Sequence, residues 1–276
     1  FNIVPVYSLA QKSIPIDIKP VNNGKFLLVT SYQRPFVDVI SVADSRFIKQ
    51  INLDAFAGEI LVDETANKAY VTVPTNSTIC VIDLKTMSLI QKIRVNGYCE
   101  KLLKSEDKLF YVDKLKSEIW AIELAKDYEL KDIGRFPNIS DMVFKNDKLF
   151  LASRTKSRVA VIDYTTLGLI SEFTTVNKPV ALKIFGDTLY ILGAQNSMLQ
   201  AIDMVNHQVI SNTEIFAEGF TTSLNVIDNS NYAVATDVKK NRYAIIDLSK
   251  NAVLGRYSLR LPVKEVVITN KVELFK

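Results

Sequence analysis

Short apolar runs alternate with short polar breaks along the whole chain. The apolar runs are rich in Val, Ile, Tyr and Phe, and clear examples are KFLLVTS from Lys25, KAYVTVP from Lys68 and KLFYVDK from Lys108. The breaks between them contain Asn, Asp and Gly, which tolerate the backbone conformations of tight hairpins. No segment shows a sustained helical period. The pattern therefore predicts an all-β protein.

The apolar runs also recur at a fixed spacing. Runs that begin at Lys68, Lys108, Lys148 and Thr188 follow one another at intervals of about 40 residues, and each is followed by a second run such as ICVIDLKT or VAVIDYTT. A repeat of about 40 to 45 residues is typical of the four-stranded blade of a β-propeller. We therefore predict that residues 1–276 form a single β-propeller domain.

The number of repeats predicts seven blades. The first run occurs seven times and the second run six times, so that one unit is left incomplete at the C-terminus. The segment FNIVPVYSL, Phe1 to Leu9, resembles the missing run. We therefore expect a seven-bladed propeller whose last blade is closed by the N-terminal strand pairing with C-terminal strands from residues 263–276. Such closure removes the exposed edge of an open sheet.

The second unit carries a family resemblance. The segment AYVTVPTNSTICVIDLKTMSLIQKIRV, Ala69 to Val95, resembles the repeat of the YVTN family of β-propellers. In that family a Tyr-Val-Thr-Asn strand precedes a Val-Ile-Asp-Thr strand and an outer Val-Ile strand, and Val73 stands here in place of the Asn. The resemblance implies a propeller fold and an extracytoplasmic protein, and it implies no shared active site.

Composition and the first residue bear on location. No apolar run approaches the roughly 18 to 20 residues of a membrane helix, so we expect no transmembrane segment. The sequence begins at Phe1 rather than Met. We therefore expect that an upstream piece has been removed, for which a lost export signal is one explanation. On that basis we expect a periplasmic or extracellular monomer, with a lipid anchor on the full-length protein as one alternative.

Catalytic and metal-binding residues are scarce. The single histidine, His207, falls in a turn after a third strand, whereas nucleophilic catalysis by a triad needs a histidine base at the site. Cys80 and Cys99 are too few for a zinc site, and either a disulfide or two buried thiols fits their spacing. We therefore expect no enzyme and no cofactor; the alternative is a lactonase-like hydrolase or lyase with its site at the central channel.

An acidic residue recurs at the end of the third strand in most units. The aspartates are Asp83, Asp163, Asp203 and Asp247. A carboxylate directly before a turn accepts hydrogen bonds from backbone N–H groups. Because one such residue per blade is too dispersed for acid–base chemistry, we interpret them as structural.

The functional hypothesis comes from the charged residues in the loops, grouped by the face on which each loop emerges. The net charge is only +4, but in a propeller the loops that join second to third strands emerge on one face, together with the connections between blades. These segments carry the candidate binding residues, which are Arg34, Lys114, Lys116, Arg154, Lys156, Arg158, Lys239, Lys240 and Arg242, with the aromatic residues Tyr32, Phe36, Tyr98 and Phe136. Such a face attracts anionic partners.

We therefore expect a non-catalytic binding or scaffold propeller. Its partner would be a protein with an acidic surface or an anionic polymer, single-stranded nucleic acid among them. The competing interpretation is that these lysine-rich loops are simply solvated.

Overall fold

The computed structural model describes residues 14–227 and 230–259. Within this part of the chain it contains 24 strands and one 3-10 helix of three residues, which confirms the all-β prediction. The helix is far too short to span a membrane. The described residues divide into two compact units between Asp132 and Ile133. The prediction of a single domain stays a prediction.

The first unit contains three four-stranded sheets. The first sheet consists of β1 (Pro15–Val21), β2 (Phe26–Ser31), β3 (Phe36–Ser41) and β4 (Phe47–Asn52). The second sheet consists of β5 (Ile60–Asp63), β6 (Lys68–Val73), β7 (Thr78–Asp83) and β8 (Ser88–Arg94), with the 3-10 helix Pro74–Asn76 between β6 and β7. The third sheet consists of β9 (Cys99–Ser105), β10 (Lys108–Asp113), β11 (Glu118–Glu123) and β12 (Glu129–Arg135), and the unit boundary falls within β12.

The second unit also contains three four-stranded sheets. The fourth sheet consists of β13 (Ile139–Lys145), β14 (Lys148–Ser153), β15 (Arg158–Asp163) and β16 (Leu169–Thr174). The fifth sheet consists of β17 (Pro179–Phe185), β18 (Thr188–Gly193), β19 (Met198–Asp203) and β20 (Val209–Glu214). The sixth sheet consists of β21 (Ser223–Val226), β22 (Tyr232–Asp237), β23 (Arg242–Asp247) and β24 (Ala252–Ser258).

Strand order fixes where each loop emerges. In every sheet the four strands pair in chain order, and neighbouring strands are antiparallel, as β13 to β16 show. The loop between the second and third strands therefore lies at the same edge of the sheet as the connections to neighbouring sheets, and we call this the loop edge. The hairpins between first and second and between third and fourth strands lie at the opposite edge, the hairpin edge. The sequence-based sorting of loops holds for each sheet.

The cores lie between neighbouring sheets of each unit. In the first unit Val39 of the first sheet belongs to the same buried cluster as Val71 and Ile82 of the second. In the second unit Val161 of the fourth sheet is clustered with Leu182 and Ile202 of the fifth. Second and third strands are almost fully buried, whereas fourth strands are largely exposed. The nearly continuous apolar runs of the second and third strands thus bury both of their faces.

The predicted count of seven blades is wrong for the described residues, which form six four-stranded sheets. The seventh blade was inferred from the terminal segments Phe1 to Leu9 and 263–276, which by sequence supply fewer than four complete strands. Both segments, and the closure predicted between them, lie outside the described residues.

Candidate anion-binding loops

All six loops between second and third strands have the same length. Each contains four residues, and they are residues 32–35, 74–77, 114–117, 154–157, 194–197 and 238–241. In five of them the fourth residue has a left-handed backbone conformation with φ of 45° to 57°, and these residues are Ser77, Ser117, Ser157, Ser197 and Asn241. Asparagine is enriched in that conformation, and serine adopts it at a steric cost. The repeat therefore gives most of the candidate site a common loop frame.

Buried aspartates hold two of these loops. The Asp113 carboxylate accepts hydrogen bonds from the backbone N–H groups of Leu115 and Lys116, at 3.1 and 3.4 Å. In the sixth sheet the Asp237 carboxylate accepts equivalent bonds from Lys239 and Lys240, at 3.1 and 3.3 Å. Since both aspartates are almost completely buried, the lysines that follow them project from fixed turns.

The fourth sheet forms a small cavity at its loop edge. The cavity has a volume of about 260 Å³ and is lined by Phe136, Pro137, Ile139, Leu151, Ser153, Lys156, Arg158, Ala160 and Glu172. Cross-strand pairing of Leu151 with Ala160, and of Ala160 with Glu172, places these three residues in one row across the sheet. The cavity therefore combines an apolar floor with two cationic side chains and one carboxylate.

Two contacts organise this cavity. The Arg158 guanidinium donates to the Glu172 carboxylate at 3.2 Å, and both side chains are substantially exposed. The Ser153 hydroxyl donates to the backbone carbonyl of Pro137 at 2.6 Å, which fixes the connecting segment beside Phe136. This hydrogen bond therefore keeps the ring of Phe136 in the same cavity lining as Lys156 and Arg158.

The predicted site residues of the first unit differ in their surroundings. Lys114 forms an ion pair with Glu100 at 2.6 Å. Lys116 is exposed and has no carboxylate partner among the described residues.

Tyr32 is 58% exposed, whereas Phe36 is half-buried at the start of β3 and Tyr98 is half-buried. Arg34 lies in the first loop, where its backbone N–H donates to Ser31 at 3.2 Å.

In the second unit the sixth-sheet cations are engaged by the protein itself. Arg242 pairs with the buried Asp237 at 2.9 Å, and its guanidinium lies 4.3 Å from the ring centre of Phe216. Lys239 lies 4.4 Å from the ring centre of Phe220, and Lys240 lies 4.0 Å from Glu218. These contacts stabilise the loop edge of the sixth sheet.

The loop 154–157 of the fourth sheet differs from the third- and sixth-sheet loops in the partners of its cationic side chains. Arg154 and Lys156 are both exposed, and neither has a carboxylate partner within the described part of the chain. The structure brings Lys156 together with Arg158 and Phe136 around one cavity. It thus gathers three of the predicted residues into a single site.

Sequence reasoning missed the carboxylate and the floor of this cavity. Glu172 reaches Arg158 because β15 and β16 pair with a register shift between Val161 and Ile162. That irregularity has no signature in LISEFT, the sequence of β16. Leu151 and Ala160 were recognisable as strand residues, but not as the floor of an accessible cavity.

His207 and the cysteines lie away from the loop edge or are buried. His207 occupies the β19–β20 hairpin, stacks on Phe173 with ring centres 4.6 Å apart, and has a pKa lowered by burial. Cys80 and Cys99 are free and fully buried, and burial raises their thiol pKa values to about 11 and about 12. Among the described residues no group of three or more His, Cys, Asp or Glu side chains is arranged to hold a metal ion.

Comparison with known proteins identifies the fold. No protein-family model matches the chain, and no curated protein matches it in sequence. The YVTN resemblance therefore stays a prediction.

Solved β-propellers, in contrast, are similar over most of the chain. Virginiamycin B lyase from Staphylococcus aureus is 14% identical with a TM-score of 0.76, and the match covers 91% of this chain and 86% of the lyase. Hsv2 from Kluyveromyces lactis is 12% identical with a TM-score of 0.68, covering 92% and 85%. The dihydro-heme d1 dehydrogenase NirN is 13% identical with a TM-score of 0.69, covering 89% of this chain.

The chain spans 57% of the length of that dehydrogenase. At these identities the likeness shows the fold alone, and the fold is a β-propeller.

Proposed function

We propose that this protein is a non-catalytic binding or scaffold propeller that recognises an anionic partner, a protein surface or a polymer, through the loop edge of its fourth sheet. The main support for this proposal is that Lys156 lines one cavity together with Arg158 and Phe136. Lys156 has no carboxylate partner among the described residues. Periplasmic or extracellular placement belongs to the same proposal.

Electrostatics favours the fourth sheet over the third and the sixth. In the third sheet Lys114 is neutralised by Glu100, so that only Lys116 stays without a carboxylate partner among the described residues, and in the sixth sheet Arg242 is neutralised by Asp237. In the fourth sheet Glu172 balances Arg158 alone, so Arg154 and Lys156 contribute their full charge to the surface. A compact excess of positive charge raises the local concentration of an anionic partner and accelerates its encounter.

The cavity adds shape to this charge. Its floor of Ile139 and Ala160 and its wall of Phe136 offer apolar contact to a planar or ring-bearing group. Aromatic stacking combined with cationic contacts is how sequence-tolerant binding of single-stranded nucleic acid is achieved. An acidic protein segment that carries an aromatic side chain would use the same contacts.

The alternative of a propeller hydrolase or lyase needs a general base at the site. His207, the single histidine of the chain, lies at the hairpin edge of the fifth sheet, opposite the loop edge. The carboxylate that lines the fourth-sheet cavity, Glu172, is paired with Arg158. Binding without chemistry therefore has the stronger support.

Fluorescence anisotropy tests the proposal. Labelled single-stranded oligothymidine and labelled polyglutamate are titrated with the protein across a salt series. For the variant Arg154→Glu/Lys156→Glu we expect affinity for the bound polymer to fall by about tenfold or more, with a shallower dependence on salt. The matched variant Lys85→Glu/Lys126→Glu removes equal charge at hairpin edges and is expected to retain most of the binding.

Equal losses in the two double variants would show that total charge, and not this loop edge, drives binding. Absence of salt-dependent binding to either polymer would overturn the proposed anionic partner. Phe136→Ala separates the aromatic contribution, because it weakens binding without changing the salt slope.

A further inference from the structure

A second cavity lies at the hairpin edge of the first unit, between its first and second sheets. Its volume is about 520 Å³, and its lining includes Asn23, Lys25, Phe26, Glu64, Asn67 and Lys85. These residues come from three hairpins, β1–β2, β5–β6 and β7–β8. The cavity is distinct from the fourth-sheet site in position and in chemistry.

Leu84 joins the three hairpins into one frame. Its carbonyl accepts a hydrogen bond from the side-chain amide of Asn22 at 2.9 Å, and its N–H donates to the carbonyl of Asn67 at 2.9 Å. The third hairpin is fixed further by the Asp83 carboxylate, which accepts from the N–H groups of Lys85 and Thr86 at 3.0 and 2.7 Å. A ligand entering this cavity would meet a pre-formed wall, which reduces the entropy cost of binding.

Several polar side chains in this frame make no direct polar contact with the described part of the protein, although the charge of Lys85 helps to lower the pKa of Asp83. Those of Asn23, Lys25, Glu64, Asn67 and Lys85 have no hydrogen-bond or ion-pair partner within residues 14–227 and 230–259. Amides offer both donors and an acceptor, lysines offer donors only, and an ionised glutamate offers acceptors only. The half-buried ring of Phe26 lies among them and supplies an apolar surface.

This combination of polar groups and an aromatic ring matches the chemistry of a sugar. A sugar ring presents hydroxyl groups that both donate and accept around its edge, and carbon-bound hydrogens on its face. Interspersed amide, ammonium and carboxylate groups fit the edge, and an aromatic ring fits the face. A phosphate would be attracted by the two lysines but repelled by Glu64, and an apolar ligand would leave the polar groups without partners.

We propose that this hairpin-edge cavity is a saccharide-binding site, independent of the anion-binding role proposed for the loop edge. The test is isothermal titration calorimetry with maltohexaose, cellohexaose, chitohexaose and tetragalacturonate. We expect measurable binding of at least one of these four probes. Asn67→Gly keeps the left-handed conformation at φ 52° while removing the amide, and Glu64→Gln removes the carboxylate charge.

Each substitution is expected to weaken binding of that probe by about tenfold, the factor that corresponds to roughly one lost hydrogen bond. Asn146→Gly is the matched control, since Asn146 has φ 51° in the β13–β14 hairpin outside this cavity. The control is expected to bind as the wild type does, and so is Arg154→Glu/Lys156→Glu, which separates this proposal from the loop-edge one.

Three results would overturn the proposal. The first is an absence of heat with all four saccharides, and the second is binding that Asn67→Gly and Glu64→Gln leave unchanged. The third is binding of inorganic phosphate that is abolished by Lys25→Gln/Lys85→Gln while no saccharide binds, which would identify an anion site instead.

Discussion

The Asp17 carboxylate of β1 accepts a hydrogen bond at 2.8 Å from the backbone N–H of Ile60 in the neighbouring sheet. In the second unit Asp141 accepts an equivalent bond from Leu182, also at 2.8 Å and also across two sheets. Each unit thus carries an aspartate on a first strand that ties one sheet to the next through the backbone.

Removal of the Asp17 carboxylate is expected to destabilise the fold. In Asp17→Ala the buried N–H of Ile60 loses its partner, which costs roughly 1 to 3 kcal/mol of unfolding free energy. Urea denaturation followed by circular dichroism measures this loss. The control is Asp44→Ala, which removes an exposed ion pair with Arg46 and should change stability by less than about 0.5 kcal/mol. Equal stability of the two variants would contradict the proposed tether.

Arg242 is expected to act mainly in stability rather than in binding. Arg242→Gln leaves the buried Asp237 carboxylate without its cationic partner, and a loss on the order of 3 kcal/mol follows from breaking such a pair. Lys240→Gln, which disturbs only an exposed contact with Glu218 at 4.0 Å, should remain within about 0.5 kcal/mol of the wild type. Thermal and urea unfolding of both variants decide the point; similar stabilities would show that Arg242 is dispensable to the fold.

Acid should weaken the fold through the repeated hairpin aspartates. The pKa values of Asp83, Asp163 and Asp203 lie below the ordinary 3.8, chiefly because their carboxylates accept backbone N–H hydrogen bonds. A carboxyl whose pKa is lower in the folded state contributes stability above the unfolded pKa, and that stability is lost as pH falls through the folded pKa. The melting temperature should therefore decline as the pH drops below ~4. The combined Asp83→Asn/Asp163→Asn/Asp203→Asn variant should show a smaller decline, and an unchanged profile would argue against this origin.

The cysteines should be inert in the folded protein. Cys80 and Cys99 have no exposed surface, and their raised thiol pKa values leave almost no thiolate at neutral pH. Mass spectrometry after iodoacetamide treatment should show no modification under native conditions and double modification in guanidinium. Thr165→Cys, placed in an exposed hairpin, provides a native-state positive control. Rapid native modification of Cys80 would show that the sheets open readily.

Local structure was largely readable from the sequence. The short apolar runs that predicted strands at Lys68 and Lys108 form β6 and β10, because strands buried on both faces need a nearly continuous apolar run. The turn role predicted for the repeated aspartates is also confirmed: Asp163 accepts from the N–H groups of Thr165 and Thr166. Such signals depend only on residues close in sequence.

Features that depend on distant residues were not readable. The pairing of Arg158 with Glu172 follows from a register shift between two strands, and the burial of Arg242 against Phe216 follows from how a connecting segment folds back. The predicted number of blades was wrong for a related reason. The terminal runs were counted as a seventh blade, although the sequence does not show which strands they pair with. The sequence could assign each candidate residue to the loop edge or to the hairpin edge. Which of the cationic side chains are paired with carboxylates could be learned only from the structure.

The uniform four-residue loops have a consequence for how this surface can change. Because length and the closing left-handed residue are held constant in most blades, the exposed positions of each loop can vary without disturbing the strands on either side. Exchanging 154–157 with 114–117 would replace RTKS by KLKS in turns that both close on a left-handed serine, Ser157 and Ser117. The repeat thus works as a set of interchangeable cassettes, in which recognition can diverge blade by blade while folding is conserved.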